Sequence, residues 1–204
     1  MSAKQMSAGT QGDKGGMIEV RWHGRGGQGA KTASYLLAES AAGDGRYVQA
    51  YPEYGAERAG APIRSYTRIS NRPIRSHSGV RHPNVVVVLD PTLLAAVNVA
   101  EGVEPGGSIL VNSEDTPEQV KQRLNVRDIR VYTVPATRIA METLRRPIPN
   151  TPMIGALVKV MGTLTIDQIK EDTRKRFSLR FRPEIVEANV NALQMAYEQV
   201  KGEQ

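Results

Sequence analysis

The stretch Met17-Ile18-Glu19-Val20-Arg21-Trp22-His23-Gly24-Arg25-Gly26-Gly27-Gln28-Gly29-Ala30 decides the fold of this chain. Ile18–Trp22 reads as a short strand that runs into a glycine-rich turn. Ala30–Ala42 follows as a helix rich in small residues, stopped by Gly43 and Gly45. Gly24, Gly26 and Gly29 satisfy G-x-G-x-x-G in the context that gives the motif meaning, with a strand before it and a helix after it. Glycines there let the backbone turn tightly and let amide N–H groups approach an anion at a helix N-terminus. The positive end of such a helix is equivalent to about half a charge. Arg25 adds a forked donor for the same anion, and Gly27 and the Gln28 amide extend the cradle toward a bound phosphate group. A close-packed strand–helix turn with no ligand would need the same glycines.

Outward from that turn the chain keeps alternating. Tyr47–Tyr51 is a second strand. In Ile63–Ser70, Ile63, Ser65, Thr67 and Ile69 point one way and Arg64, Tyr66, Arg68 and Ser70 the other. Asn71-Arg72-Pro73 reads as a turn to a short partner strand around Ile74. Val85–Leu89 is an apolar run typical of a strand buried on both faces, and Asp90-Pro91 closes it ahead of a helix at Thr92–Val97. Ser108–Val111 and Ile129–Val134 are further strands, with a helix opened by Thr116-Pro117-Glu118 between them. After Pro135 only helices are expected: Thr137–Leu144, Met153–Met161, Ile166–Arg176 with Thr163 or Thr165 as cap, and Pro183–Val200. In the last, Val186, Val190, Leu193, Tyr197 and Val200 make a stripe suited to core or subunit packing. The expectation is an α/β fold, a mostly parallel sheet with flanking helices and a helical C-terminal region. Residues 1–16 form a polar tail expected to be disordered by itself, and 17–204 a single domain.

Two further segments could carry chemistry. Tyr51-Pro52-Glu53-Tyr54-Gly55-Ala56-Glu57-Arg58-Ala59-Gly60-Ala61-Pro62 is dense in Tyr, Glu and Arg, and its prolines and glycines are expected to exclude a helix or a plain strand. It follows the second strand, beside the glycine turn in a doubly wound fold. Glu53 falls about where a dinucleotide domain places its ribose-binding acid. An ion-paired structural loop would look alike. In Pro147-Ile148-Pro149-Asn150-Thr151-Pro152 the prolines suggest an extended segment presenting two polar side chains, or an N-cap for the next helix.

Composition narrows the chemistry. The 204 residues include no Cys, which removes a disulfide scaffold, a thiolate metal site and an iron–sulfur cluster held by this chain alone. His23, His77 and His82 have neither metal-ligand spacing nor an evident serine or acid partner, so no catalytic dyad emerges, and core or surface roles are expected for them. No apolar run approaches the ~20 residues of a membrane span, and no signal peptide is visible, so the expectation is a cytoplasmic protein with no membrane role. The net charge of +6 is concentrated in residues 58–89, where Arg58, Arg64, Arg68, Arg72, Arg75 and Arg81 stand without an acid. Only Tyr66 is interleaved with them, which argues against a nucleic-acid stacking surface. Arg58 is expected to face phosphate, and several of the others acidic surfaces of neighbouring subunits.

The segments "HGRGGQG", "YPEYGAERAGAP" followed by an arginine-rich strand, "HPNVVVVLDPTLL", "GSILVNS" and "RRPIPNTPMIGAL" occur in order over nearly the whole chain. Together they resemble the gamma subunit of 2-oxoacid:acceptor oxidoreductases, the family of pyruvate synthase. Where many members have Arg-Arg-Gly, this chain has Arg58-Ala59-Gly60. The resemblance implies a subunit, noncatalytic alone, of a complex that oxidatively decarboxylates a 2-oxoacid to an acyl-CoA and carbon dioxide. It implies alpha, beta and delta-type partner subunits that hold thiamine diphosphate with Mg and the iron–sulfur clusters. A ferredoxin or NAD-linked module would accept the electrons. Coenzyme A would bind at this chain: Gly24, Arg25, Gly26, Gly27, Gln28 and Gly29 around the phosphates, Arg58 supplying charge, Glu57 orienting it, and Asn150 and Thr151 near the pantetheine arm. Pyruvate is the default substrate, with aromatic 2-oxoacids open. Two other readings stand beside this one: a stand-alone NAD- or FAD-binding Rossmann-like protein using Glu53, and a purely structural subunit.

Overall fold

A computed structural model of the chain describes residues 16–53 and 60–203. The polar tail through residue 15, and the site candidates Glu57 and Arg58, lie outside the described residues. The elements run β1 (Met17–Arg25), α1 (Ala30–Gly43), β2 (Tyr47–Glu53), β3 (Pro62–Ser70), β4 (Val85–Val88), α2 (Leu93–Ala96), β5 (Ser108–Asn112), α3 (Pro117–Leu124) and β6 (Arg130–Val134). They continue with α4 (Ala136–Leu144), α5 (Asn150–Met161), α6 (Ile166–Phe177), α7 (Pro183–Gln199) and β7 (Lys201–Gly202).

The α/β class expected from the sequence is present. One sheet has the order β2-β3-β1-β4-β5-β6-β7. Its centre, β1-β4-β5-β6, is parallel. Antiparallel strands are added at both edges: β3 and β2 beyond β1, and β7 beyond β6. The four valines of β4 explain the centre. Val85 and Val87 point into a core with Val20, Trp22, Leu110 and helices α1 and α5. Val86 and Val88 point into a second core with Leu93, Ile109, Val111 and Val120. An alternating strand with apolar side chains on both faces must be covered on both, which makes three layers. The α7 stripe is core: Val186, Val190 and Leu193 are buried, and Gly155 of α5 brings the two helices together.

Four expectations are corrected. The ends of the segment 51–62 lie in strands, Tyr51–Glu53 in β2 and Pro62 in β3. Proline is tolerated in both places, because β2 is an edge strand and Pro62 is the first residue of its strand. No strand forms around Ile74. Both edges of β3 are already taken, by β1 and β2, and the carbonyls of Ser76 and Ser78 accept from the Arg68 guanidinium instead of a ladder. Strands do not cease after Pro135, because Lys201–Gly202 adds a two-residue edge strand too short to leave a sequence pattern. The segment before Pro152 is not extended: Asn150 and Thr151 open α5 with Pro149 at the cap. Proline is tolerated there because the first-turn N–H groups have no intrahelical acceptor. Of the two candidate caps, Thr165 closes a reciprocal capping box with Gln168, and Thr163 does not cap.

The arginine-rich strand also differs. Arg68 faces no neighbouring surface. It is buried within the chain, its Nε 2.7 Å from Glu19 Oε1, with further bonds to Gln49 and the carbonyls of Ser76 and Ser78. Arg64 approaches Glu101 at 3.8 Å, whereas Arg72, Arg75 and Arg81 are exposed.

Candidate ligand site between the ends of β1 and β4

Chain direction sets the place. From β1 the chain crosses through α1 to β2 and β3 on one side of the sheet, and from β4 it proceeds to β5 and β6 on the other. In an open α/β sheet the crevice at such a reversal, outside the carboxyl ends of the strands, is where ligands bind. Here it is flanked by the Arg25–Gly29 turn and by Leu89-Asp90-Pro91-Thr92.

The turn is built by its glycines. Gly24 is buried, and a Cβ there would lie 3.3 Å from Ala30 Cβ. Gly27 and Gly29 have φ of +91° and +81°, a region glycine adopts without the steric cost borne by other residues. Gly29 caps α1 with no side-chain hydrogen bond, so the first amides of the helix point outward without a capping oxygen. Around Gly27 a Cβ would find no atom within 4 Å, so this side of the turn is open.

Side chains lock the turn. Gln28 Oε1 accepts from the Arg25 amide at 2.8 Å, and Gln28 Nε2 donates to Asp90 Oδ2 at 2.8 Å. The same Asp90 oxygen lies 3.2 Å from Arg25 Nε. Asp90 Oδ1 accepts from the Thr92 amide at 2.9 Å and the Thr92 hydroxyl at 2.6 Å. Arg25 also donates to Thr92 Oγ1 from Nε and Nη2, and to the Gly60 carbonyl from Nη1 at 2.8 Å. Burial raises the pKa of Asp90, but the bonds from Thr92 and Gln28 and the charge of Arg25 outweigh it and hold the carboxyl below its ordinary value.

Most of the residues expected from the sequence do meet here. The turn, Arg25 and Gln28 form one unit. Asn150 joins them from α5, its side chain so close to Gly29 that a Cβ there would sit 2.6 Å from Nδ2. Gly60, which follows the undescribed part of the second loop, is held beside the turn by Arg25. Thr151 does not join. Its hydroxyl is buried and donates to Asn189 Oδ1 on α7 at 2.9 Å, so its polar atom serves packing. Glu53 is also elsewhere: β3 lies between β2 and β1, and Glu53 accepts from the Tyr66 hydroxyl, whose pKa burial and that carboxylate push up to about 12.

Asp90 and Thr92 were missed, although a signal was present: an acid two residues past the last valine of an all-valine strand, at the carboxyl end where ligand sites form. Asn112 repeats the pattern at the end of β5. Its amide donates to the Leu89 carbonyl and the Thr137 hydroxyl, and its carbonyl oxygen accepts from the Thr137 N–H. The histidines have the core and surface places expected. His23 is buried, its Nε2 accepting from Arg21 Nε at 3.0 Å, while His77 and His82 are exposed.

Comparison with known proteins places the chain in a family. Residues 19–199 match the model of the family described as pyruvate ferredoxin/flavodoxin oxidoreductase. The pyruvate synthase subunit PorC of Thermotoga maritima is 48% identical over 184 residues, spanning 90% of this chain and 95% of that protein. The common gamma subunit of the pyruvate/ketoisovalerate oxidoreductases of Pyrococcus furiosus is 46% identical over 185 residues, 91% of this chain and 98% of that one. The crystal structure of the Thermotoga maritima pyruvate oxidoreductase subunit PORC superposes with a TM-score of 0.82 at 44% identity, covering 93% of this chain and 99% of that chain. The 2-oxoglutarate:ferredoxin oxidoreductase of Magnetococcus marinus shares the fold at 17% identity and a TM-score of 0.73, this chain matching 31% of that longer one. The chain belongs to the pyruvate ferredoxin/flavodoxin oxidoreductase family, matching its model over residues 19–199.

Proposed function

We propose that the chain is the gamma subunit of a multi-subunit 2-oxoacid:acceptor oxidoreductase and contributes the coenzyme A-binding region of that complex. The observation that carries this reading is the convergence of the Arg25–Gly29 turn, Asn150 and the end of the second loop at the reversal of the sheet.

The residues present fit coenzyme A. Its pyrophosphate would lie against the open side of Gly27 and the uncapped amides of α1. Arg25 has five N–H donors. Its hydrogen bonds to Gly60 and Thr92 occupy one on each of Nε, Nη1 and Nη2, leaving one on each terminal nitrogen for a phosphate oxygen. Asn150 offers an amide beside the turn, Arg58 would add charge, and Glu57 would orient it. The proposal leaves Thr151 out. Coenzyme A, when bound, supplies a thiol that accepts an acyl group. Residues of this chain only hold and orient it, which suits a sequence without Cys or a catalytic dyad. An enzyme of the same fold, that of Magnetococcus marinus, has coenzyme A and succinyl-CoA bound.

Oxidative decarboxylation then belongs to the complex. Thiamine diphosphate with Mg and the iron–sulfur clusters are assigned to the alpha, beta and delta-type chains, with ferredoxin or an NAD-linked module as acceptor, in the cytoplasm. One exposed patch suits subunit contact. Leu179, 83% exposed, and Phe181 in the connection between α6 and α7, and Ile185 in the first turn of α7, are exposed apolar side chains, with Arg180 and Arg182 next to them in sequence and without an ion pair among the described residues.

The alternative of a stand-alone dinucleotide-binding protein fits less well, because Glu53 is separated from the glycine turn by β3. Purification of the native complex through a tag on this chain tests the choice. Co-purification of a thiamine diphosphate-binding chain, with acceptor reduction that requires a 2-oxoacid and coenzyme A, is expected. A chain that purifies alone and is stabilised against heat by NAD, but not by coenzyme A, would favour the alternative.

A further inference from the structure

We propose that Asp90 is a positioning residue of the coenzyme A site, fixing the Arg25 guanidinium and the Gln28 amide so that the glycine turn is shaped for phosphate before ligand arrives. The inference rests on the coenzyme A reading above.

Three hydrogen bonds and one ion pair on a single carboxylate carry it. Oδ1 is taken by the amide and hydroxyl of Thr92, which fixes the carboxylate on the β4 side of the crevice. Oδ2 is taken by Gln28 Nε2 and Arg25 Nε, which both belong to the turn on the β1 side. Asp90 is therefore the clamp across the crevice. Its side chain is 11% exposed, and an unpaired charge so little hydrated would be costly. Ionised and fully bonded, it has little freedom to leave its partners.

The geometry divides the work on Arg25. Asp90 and Thr92 engage the inner edge of the guanidinium, at Nε and Nη2, and the Gly60 carbonyl engages Nη1. A guanidinium held on its inner edge presents its outer edge in one orientation, and phosphate needs that fork aligned. Gln28, anchored by Asp90 through its amide nitrogen, uses its oxygen to hold the Arg25 amide, so the backbone of the turn depends on the same carboxylate. Without Asp90, a long arginine side chain would have to be ordered when ligand binds, at an entropic cost that weakens binding.

A double-mutant cycle on the assembled complex, read as the coenzyme A dissociation constant by calorimetry, separates positioning from general stabilisation. Asp90→Asn keeps the size of the side chain and removes its charge. Expected is a loss of at least about tenfold in affinity for Asp90→Asn in the wild-type background. In the Arg25→Ala background the same change should have less than about a twofold effect, because the group that Asp90 positions is already gone. Additive losses would overturn the proposal, since a structural defect lowers affinity with or without Arg25. If Arg25→Ala weakens binding and Asp90→Asn does not, positioning by Asp90 falls and the site stands. If neither change alters affinity, the placement of coenzyme A at this turn falls as well. Thermal denaturation of each variant complex reports any folding loss separately, and an Asp90→Asn complex that assembles and melts normally but binds weakly is the outcome that supports the inference.

Discussion

His23 sits in the buried part of β1 as a neutral imidazole. Burial first, then the positive charges of Arg21 and Arg64, push its pKa down to about 3. The unfolded chain takes up that proton near pH 6.5 and the folded chain refuses it. The contribution to stability is therefore complete above about pH 6.5 and is lost as pH falls toward 3, with a slope of up to about 1.4 kcal/mol per pH unit. Urea titrations between pH 4 and 7 should show a His23→Gln variant, which keeps an acceptor for Arg21, losing stability less steeply than the wild type as pH falls. Parallel slopes would show that His23 is protonated in the fold. Asp90 acts in the same direction at lower pH, since its depressed pKa contributes above the unfolded value and is lost below it. Neither role was legible in the sequence, because what sets them is depth and neighbours: His23 lies between two antiparallel-paired and parallel-paired strands, and Asp90 is reached by side chains from two different connections.

At the scale of elements, periodicity carried the reading wherever one residue type repeats. The valines of β4 and the stripe of α7 have only one way to hide their apolar faces. Prediction around Ile74 failed because competition for the edges of β3 is decided by strand order, which no local window contains. The start of α5 failed for a different reason, since prolines 147, 149 and 152 suggest extended chain, yet Pro152 falls in a first turn where its missing N–H costs nothing. Contact between α5 and α7 offers a test at this scale. A Cβ on Gly155 would fall 2.1 Å from the Leu193 carbonyl oxygen, so the helices must separate to admit it. Gly155→Ala gains roughly 1 kcal/mol in helix propensity, but overpacking at a backbone contact outweighs it, and a net loss of about 1–3 kcal/mol is expected in chemical denaturation. A stabilised variant would mean that the two helices slide apart freely.

For the whole molecule, the sequence located most of the candidate site but not the way it is held. A glycine motif between a strand and a helix marks a candidate anion site from local chemistry alone. The meeting of that motif with Asn150, more than a hundred residues away, and with Asp90 follows from the order of strands in the sheet. Absence of Cys and of a catalytic dyad, at first only an exclusion, fits a chain whose task is to hold a ligand for chemistry done by partner subunits. Amide hydrogen exchange of this chain within the assembled complex, with and without coenzyme A, tests that task directly. Slower exchange at residues 26–32 on addition of coenzyme A, the turn and the first amides of α1, is the predicted result. Unchanged exchange there at saturating coenzyme A, with protection confined to other chains, would contradict it.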